Sequence, residues 1–264
     1  MSHHPLIGVF DSGIGGLSVL RHVRRRLPEY DLLYLADSGY APYGGRSDDY
    51  VRERVLRIGE HLVDRGVAAI VVACNTATAV AVEALRALLP TLPIVAMEPA
   101  LKPAARLTRS AVIGVLATAG TLNSARYASL RDRHGKHVQV LERVCHHWVD
   151  LVEAGDLASP RARQLVADEI RPLLETGADT LVLGCTHFPY LSDLIKESAG
   201  PGVEVVDPSP AVAEQLVRRL TDAGLTASGG DGRLTLVSTD PARILPAAVR
   251  PMLAAGGDWE AVNP

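Results

Sequence analysis

Short unbroken apolar runs alternate along the chain with longer stretches in which apolar residues recur at helical spacing. The runs 6–10, 31–36, 69–73, 93–97, 110–116, 180–184, 203–206 and 234–238 are rich in Val, Ile, Leu and Ala, the pattern of strands buried on both faces. Stretches 17–27, 48–66, 78–89, 160–176, 211–223 and 241–253 have helical spacing, and Pro28 and Pro90 close two of them. Segment 134–141 reads as a further strand and 145–154 as a helix. Strands alternating with helices predict an α/β protein built on doubly wound, mostly parallel sheets.

The pattern is written twice. Ala69-Ile-Val-Val-Ala-Cys74-Asn-Thr-Ala-Thr78 returns as Thr180-Leu-Val-Leu-Gly-Cys185-Thr-His-Phe-Pro189. Ile7-Gly-Val-Phe-Asp-Ser-Gly13 matches Ile113-Gly-Val-Leu-Ala-Thr-Ala119, and Ala96-Met-Glu-Pro99 matches Val205-Val-Asp-Pro208, in the same order and at nearly one offset. Three ordered matches predict a duplicated α/β unit with pseudo-two-fold symmetry and one thiol from each half. The expected division is a first domain of 1–97 plus 208–264 and a second of 98–207, the crossings lying near Glu98-Pro-Ala-Leu-Lys-Pro103 and Asp207-Pro-Ser-Pro210. Ligands of such folds bind beyond the carboxyl ends of the strands, and Cys74 and Cys185 occupy two of those ends, so a cleft between the halves is the expected site.

Composition narrows the function. Apolar residues make up 47% of the 264, with only two Phe and two Trp, so the cores are expected to be aliphatic. The net charge of -3 and the absence of a basic run longer than Arg24-Arg-Arg26 argue against nucleic acid or an anionic membrane as partner. The start Met1-Ser-His-His-Pro has no secretory pattern, and the apolar run 67–74 is too short to cross a bilayer, so a soluble cytoplasmic protein is expected. Three cysteines without close pairing suit a reducing compartment.

Several loops carry candidate chemistry. Asp11-Ser-Gly-Ile-Gly-Gly16 stands between strand and helix in the order of a phosphate cradle, but Ser18 occupies the place of the third fingerprint glycine and no Walker lysine follows, so no nucleotide cofactor is expected. Loop 37–47 is rich in turn residues that expose backbone N–H groups suited to carboxylates, or else is a plain connector. Cys74 and Asn75 sit at the start of a helix, which favours an anion. Cys145-His-His147 lacks tetrahedral ligand spacing, so no metal is expected there, and Cys145 reads as a small buried residue. Two thiols flanking one carbon can divide an inversion: one thiolate removes a proton from one face, and the other thiol returns one to the opposite face. Asp11 and His187 are positioned to orient or tune them.

The stretches Phe10-Asp-Ser-Gly-Ile-Gly-Gly16, Pro42-Tyr-Gly-Gly-Arg-Ser47, Ala73-Cys-Asn-Thr-Ala77, Leu183-Gly-Cys-Thr-His187 and Asp207-Pro-Ser209, which span essentially the whole chain in order, resemble the glutamate racemases of the cofactor-independent aspartate/glutamate racemase superfamily. The resemblance implies interconversion of L- and D-glutamate without pyridoxal phosphate or metal, supplying D-glutamate for peptidoglycan. It implies that Cys74 deprotonates the D-isomer and Cys185 the L-isomer, with Asp11, His187 and Glu153 assisting. It assigns substrate contacts to Asp11, Ser12, Pro42, Tyr43, Gly44, Asn75, Thr76, Thr186 and His187, and a carboxylate-binding side to Thr118 and Thr121. Val144-Cys-His-His-Trp-Val149 departs from the family's Cys-Pro-rich form. A homodimer is usual in the family, and some members also inhibit DNA gyrase.

Other readings keep part of this. The same two thiols could act on aspartate or a cyclic amide, the fit of the distal group deciding. In another class, Cys74 and Cys185 form a redox switch, or the protein is a binding module that regulates a partner. A redox pair would bridge at about 6 Å between Cα atoms, whereas proton carriers stay apart by the width of a substrate carbon.

Overall fold

Chains of β-branched and aliphatic residues extend readily and bury both faces when helices cover them. In the computed structural model, which describes residues 4–240, 242 and 259–264, the first half runs β1 (Leu6–Asp11), α1 (Leu17–Arg26), β2 (Asp31–Ala36), α2 (Asp48–Asp64), β3 (Ala69–Val72), α3 (Asn75–Leu88) and β4 (Ile94–Ala96). After α4 (Leu101–Leu107) come β5 (Val112–Ala117), α5 (Ala119–Leu122), α6 (Ala125–His134), β6 (Gln139–Val144), α7 (Trp148–Glu153), α8 (Pro160–Glu175), β7 (Thr180–Gly184), α9 (Ser192–Ala199) and β8 (Glu204–Val206). The chain then continues through α10 (Ser209–Asp222), β9 (Leu234–Ser238) and β10 (Trp259–Ala261).

Two separate parallel sheets result, ordered β10-β9-β2-β1-β3-β4 and β6-β5-β7-β8. The inner order β2-β1-β3-β4 and the order β6-β5-β7-β8 are one topology repeated, as the internal repeat predicts. In each, the opening strand is central, so its carboxyl end lies beside that of the cysteine strand: Phe10 pairs with Val72, and Ala117 with Gly184.

The structure also departs from the expected pattern. The helix expected over 78–89 begins at Asn75, because Cys74 itself caps it. The segment expected to be helical over 145–154 is helical only from Trp148, since His147 adopts a left-handed backbone (φ 67°) and β6 runs on to Val144. Segment 134–141 is divided between the end of α6 and the start of β6. The helix expected over 241–253 lies, apart from Ala242, outside the described residues. Loop 225–233 is tied at its ends to the start of β2: the Tyr30 hydroxyl donates to the Leu225 carbonyl at 2.7 Å, and the Arg233 N–H to Asp31 Oδ1 at 2.7 Å.

One aliphatic cluster joins the halves, including Leu17, Leu20 and Val23 of α1, Leu216 of α10, Ile14, and Trp148, Leu183 and Phe188 of the second half. Trp148 is fully buried and meets Phe188 edge to face at 4.8 Å between ring centres, while its Nε1 donates to the Leu165 carbonyl at 3.3 Å. Trp148→Ala removes a large buried aromatic at the base of α7, and a loss of about 3–5 kcal/mol is expected in urea unfolding; a loss below about 1 kcal/mol would show that the fold does not depend on this contact.

Candidate active site

β1 and β3 are neighbours, so Asp11 and Cys74 emerge side by side at the carboxyl edge of the first sheet. Asp11 is fully buried, and the Ser12 hydroxyl donates to its Oδ1 at 3.1 Å. Cys74 Sγ in turn donates to Ser12 Oγ at 3.7 Å, giving a relay from thiol through hydroxyl to carboxylate. The same sulfur accepts the Ala77 N–H at 3.4 Å as the N-cap of α3. Burial pushes the Cys74 thiol pKa up, the Asp11 charge adds to the rise, and the bonds from Ala77 and Ser12 offset only part of it.

The second thiol is served differently. β7 ends at Gly184, and the chain enters a 3-10 turn (Phe188–Leu191) instead of a long helix. Cys185 Sγ lies 3.8 Å from His187 Nδ1, and His187 Nε2 lies 2.7 Å from Glu153 Oε1 of α7. Burial disfavours a charged imidazole, but hydrogen bonds to Cys185 and Glu153 and the charges of both outweigh it, raising His187 well above its ordinary range. The Asp11 carboxyl is also raised, by burial, against the opposing pull of His187 and the bonds from Thr186 and Ser12.

Each carboxylate also reaches across to the other half. The Thr186 hydroxyl donates to Asp11 Oδ2 at 2.8 Å, and the Ile14 N–H donates to Glu153 Oε1 at 3.3 Å. The Ser18 hydroxyl donates to the Thr186 carbonyl at 3.0 Å. These contacts explain the glycine-rich turn. A Cβ at Gly13 would stand 2.5 Å from Glu153 Oε1, one at Gly15 would stand 2.4 Å from His187 Nδ1, and one at Gly16 would stand 2.6 Å from the Asp11 Cβ. Gly13 and Gly15 clear room for side chains of the other half, and Gly16 clears room for Asp11 in its own half.

Between the halves lies a cleft in two connected parts, about 350 Å³ and about 420 Å³, which meet at Ser12, Pro42 and His187. Cys74, Asn75, Thr76, Gly44, Thr118, Cys185 and Thr186 line the smaller part, and Glu153 the larger. All three cysteines are free thiols, so no bridge joins Cys74 to Cys185. Thr76, Thr118 and Thr121 form a hydroxyl chain across the halves, with oxygens 3.1 and 3.2 Å apart. The Asn75 side chain is buried at the cleft with neither amide atom hydrogen-bonded among the described residues, which suits a polar ligand.

Three expected contact residues stand back from the wall. Asp11 lies behind Ser12 and Thr186; Thr121 acts through Thr118; and the Tyr43 hydroxyl turns away to Asp37. Cys145, read as a small core residue, is buried as expected but also borders the cleft, with His146 and His147 beside it. Among the described residues no group of three His, Cys, Asp or Glu side chains is arranged to hold a metal ion.

Residues 15–216 match the Asp/Glu/Hydantoin racemase family. A glutamate racemase from Methylococcus capsulatus is 51% identical over 244 residues, 92% of this chain and 89% of that one. A glutamate racemase isoform from Bacillus anthracis superposes with a TM-score of 0.89 at 30% identity, covering 98% of both chains. The chain belongs to the glutamate racemases. The Escherichia coli glutamate racemase solved with L-glutamate and the activator UDP-MurNAc-Ala is 32% identical, with a TM-score of 0.87 over 99% of this chain and 100% of that one. The binding-module reading is thereby replaced by a racemase.

For this glutamate racemase, residue patterns alone missed Asp37, Arg54 and Ser18. Asp37 directly follows β2 where Asp11 closes β1, a partial parallel in the residue pattern. The interlocked turn yields a direct test. Gly15→Ala forces His187 and Thr186 to shift, and racemisation is expected to fall about 100-fold at an unchanged far-UV dichroism spectrum. A wild-type rate in that variant would show that the turn has slack.

Proposed function

We propose that this glutamate racemase inverts glutamate by two-base proton transfer, with Cys74 taking the α-proton of the D-isomer and Cys185 that of the L-isomer. The observation that supports this most directly is that both reduced thiols line one cleft, each hydrogen-bonded into a chain that ends at a carboxylate. One sulfur enters as thiolate and leaves as thiol, while the other gives its proton to the opposite face of the planar carbanion, so protons balance over the turnover. Asn75 and the Thr76–Thr118–Thr121 hydroxyls are proposed to hold the carboxylates, and Ser12, Gly44 and Thr186 to complete the pocket. Asp11 is proposed to hold and tune Cys74 through Ser12, and Glu153 to hold His187 toward Cys185.

The proposal extends to a cytoplasmic homodimer that supplies D-glutamate for peptidoglycan, and to the division of the chain into 1–97 with 208–264 against 98–207. Among the described residues no helix is long and apolar enough to cross a membrane.

Incubation with L-glutamate in heavy water, with a chelator present, is expected to give racemate carrying deuterium at the α-carbon. Cys74→Ala and Cys185→Ala should each reduce inversion at least ~1,000-fold. Near-wild-type inversion in either variant would remove the two-thiol mechanism.

A second test concerns Asp11. Its negative charge helps hold the Cys74 proton, so Asp11→Asn is expected to lower the thiol pKa. In a background carrying Cys145→Ala and Cys185→Ala, iodoacetamide labelling of Cys74 followed by mass spectrometry should begin at lower pH when Asp11 is replaced. Labelling that shifts to higher pH would reverse the assigned influence.

A further inference from the structure

Loop 41–45 borders both parts of the cleft: Ala41 and Pro42 face the larger, and Pro42, Gly44 and Gly45 the smaller. It also touches the second half, since a Cβ on Gly44 would stand 3.3 Å from the Thr118 Cβ and a Cβ on Gly120 would stand 3.3 Å from the Gly44 carbonyl. What fixes this loop lies behind it. Tyr43 points away from the cleft into the apolar cluster of Phe10, Val51 and Val55, and its hydroxyl donates to Asp37 Oδ2 at 2.5 Å.

Asp37 is fully buried and Arg54 nearly so. Arg54 grips the carboxylate at two points, Nε to Oδ2 at 3.1 Å and Nη2 to Oδ1 at 2.8 Å, while its guanidinium lies 3.6 Å over the Tyr40 ring. Its third nitrogen, Nη1, donates to the Pro264 carbonyl at 3.2 Å. The Asp37 N–H donates to the Asp11 carbonyl at 2.9 Å, so one residue is bonded both to the strand end that carries Asp11 and to the loop that borders the cleft. Burying an ion pair is an inefficient way to stabilise a fold, and the planar two-point fork adds a defined geometry that an apolar pair lacks.

We propose that Asp37 and Arg54 are positioning residues of the racemase reaction, acting through the Tyr43 hydroxyl to hold the Pro42–Gly44 backbone at the distance from Asp11 and Ser12 that the substrate needs. Neither side chain borders the cleft. Burial, with the Asp37 charge behind it, raises the Tyr43 phenol pKa, so the hydroxyl remains a donor across the working pH range. This inference rests on the racemase reading above.

Tyr43→Phe tests it by deleting one oxygen atom. The KM for both enantiomers is expected to rise about tenfold while kcat changes less than about threefold, at a thermal midpoint within a few degrees of wild type. Arg54→Lys, which keeps the charge and loses the fork, should raise KM in the same sense, and Asp37→Asn more strongly. A Tyr43→Phe enzyme with wild-type KM and kcat overturns the proposal. So does one whose loss of activity matches its unfolded fraction, because the network is then only structural. A wild-type protein that fails to racemise glutamate removes the racemase reading itself, and this inference with it.

Discussion

A buried carboxylate keeps its charge only if hydrogen-bond donors replace the water it has lost, and Asp11 draws its donors from both halves of the chain. Ser12 comes from its own turn, and Thr186 from the residue after the opposite cysteine. That second contact joins the end of β1 in one sheet to the end of β7 in the other, so the two cysteine strands cannot drift apart without exposing or stranding the charge. Gly13 and Gly15 of the turn, the Ser18 bond to Thr186 and the Ile14 bond to Glu153 all go with that approach. The cleft is the space left once the two strand ends are held this way.

Duplication supplied matching frames and unequal chemistry. Both thiols follow the third strand of a four-strand unit, yet Cys74 caps a 14-residue helix while Cys185 enters a 3-10 turn. Around Cys74 the partner is a hydroxyl backed by a carboxylate; around Cys185 it is an imidazole backed by a glutamate. A helix N-terminus would ordinarily favour a thiolate, but at Cys74 burial and the neighbouring Asp11 charge push the thiol pKa up, and the bond from the Ala77 N–H offsets only part of that.

Much of this was legible in the residue pattern. Runs such as 31–36 and 180–184, short, apolar and bounded by turn signals, read as buried strands, and the repeated cysteine ends place both thiols and His187 at matching strand ends. The turn 11–16 is harder to read, because Gly13 and Gly15 are explained by Glu153, Thr186 and His187, more than a hundred residues away in sequence. Arg54 looks from sequence like one more charge on an amphipathic helix; only packing shows that it faces inward to Asp37. The helix over 145–154 is shorter than its residue pattern suggests, because the left-handed backbone at His147 leaves no mark in hydrophobic periodicity. Short helices such as α5, with four residues, offer too little of a period to be seen at all.

The unequal surroundings of the two sulfurs meet a limit set outside the protein. Mirror-image amino acids have the same free energy in water, so their interconversion has an equilibrium constant of unity, and kcat/KM must be the same in both directions whatever the enzyme does. On the two-thiol proposal, the contrast between a hydroxyl relay on one wall and an imidazole relay on the other cannot make the enzyme favour one hand at equilibrium. It can only divide that common value differently between turnover and saturation, giving each enantiomer its own kcat and a KM that scales with it.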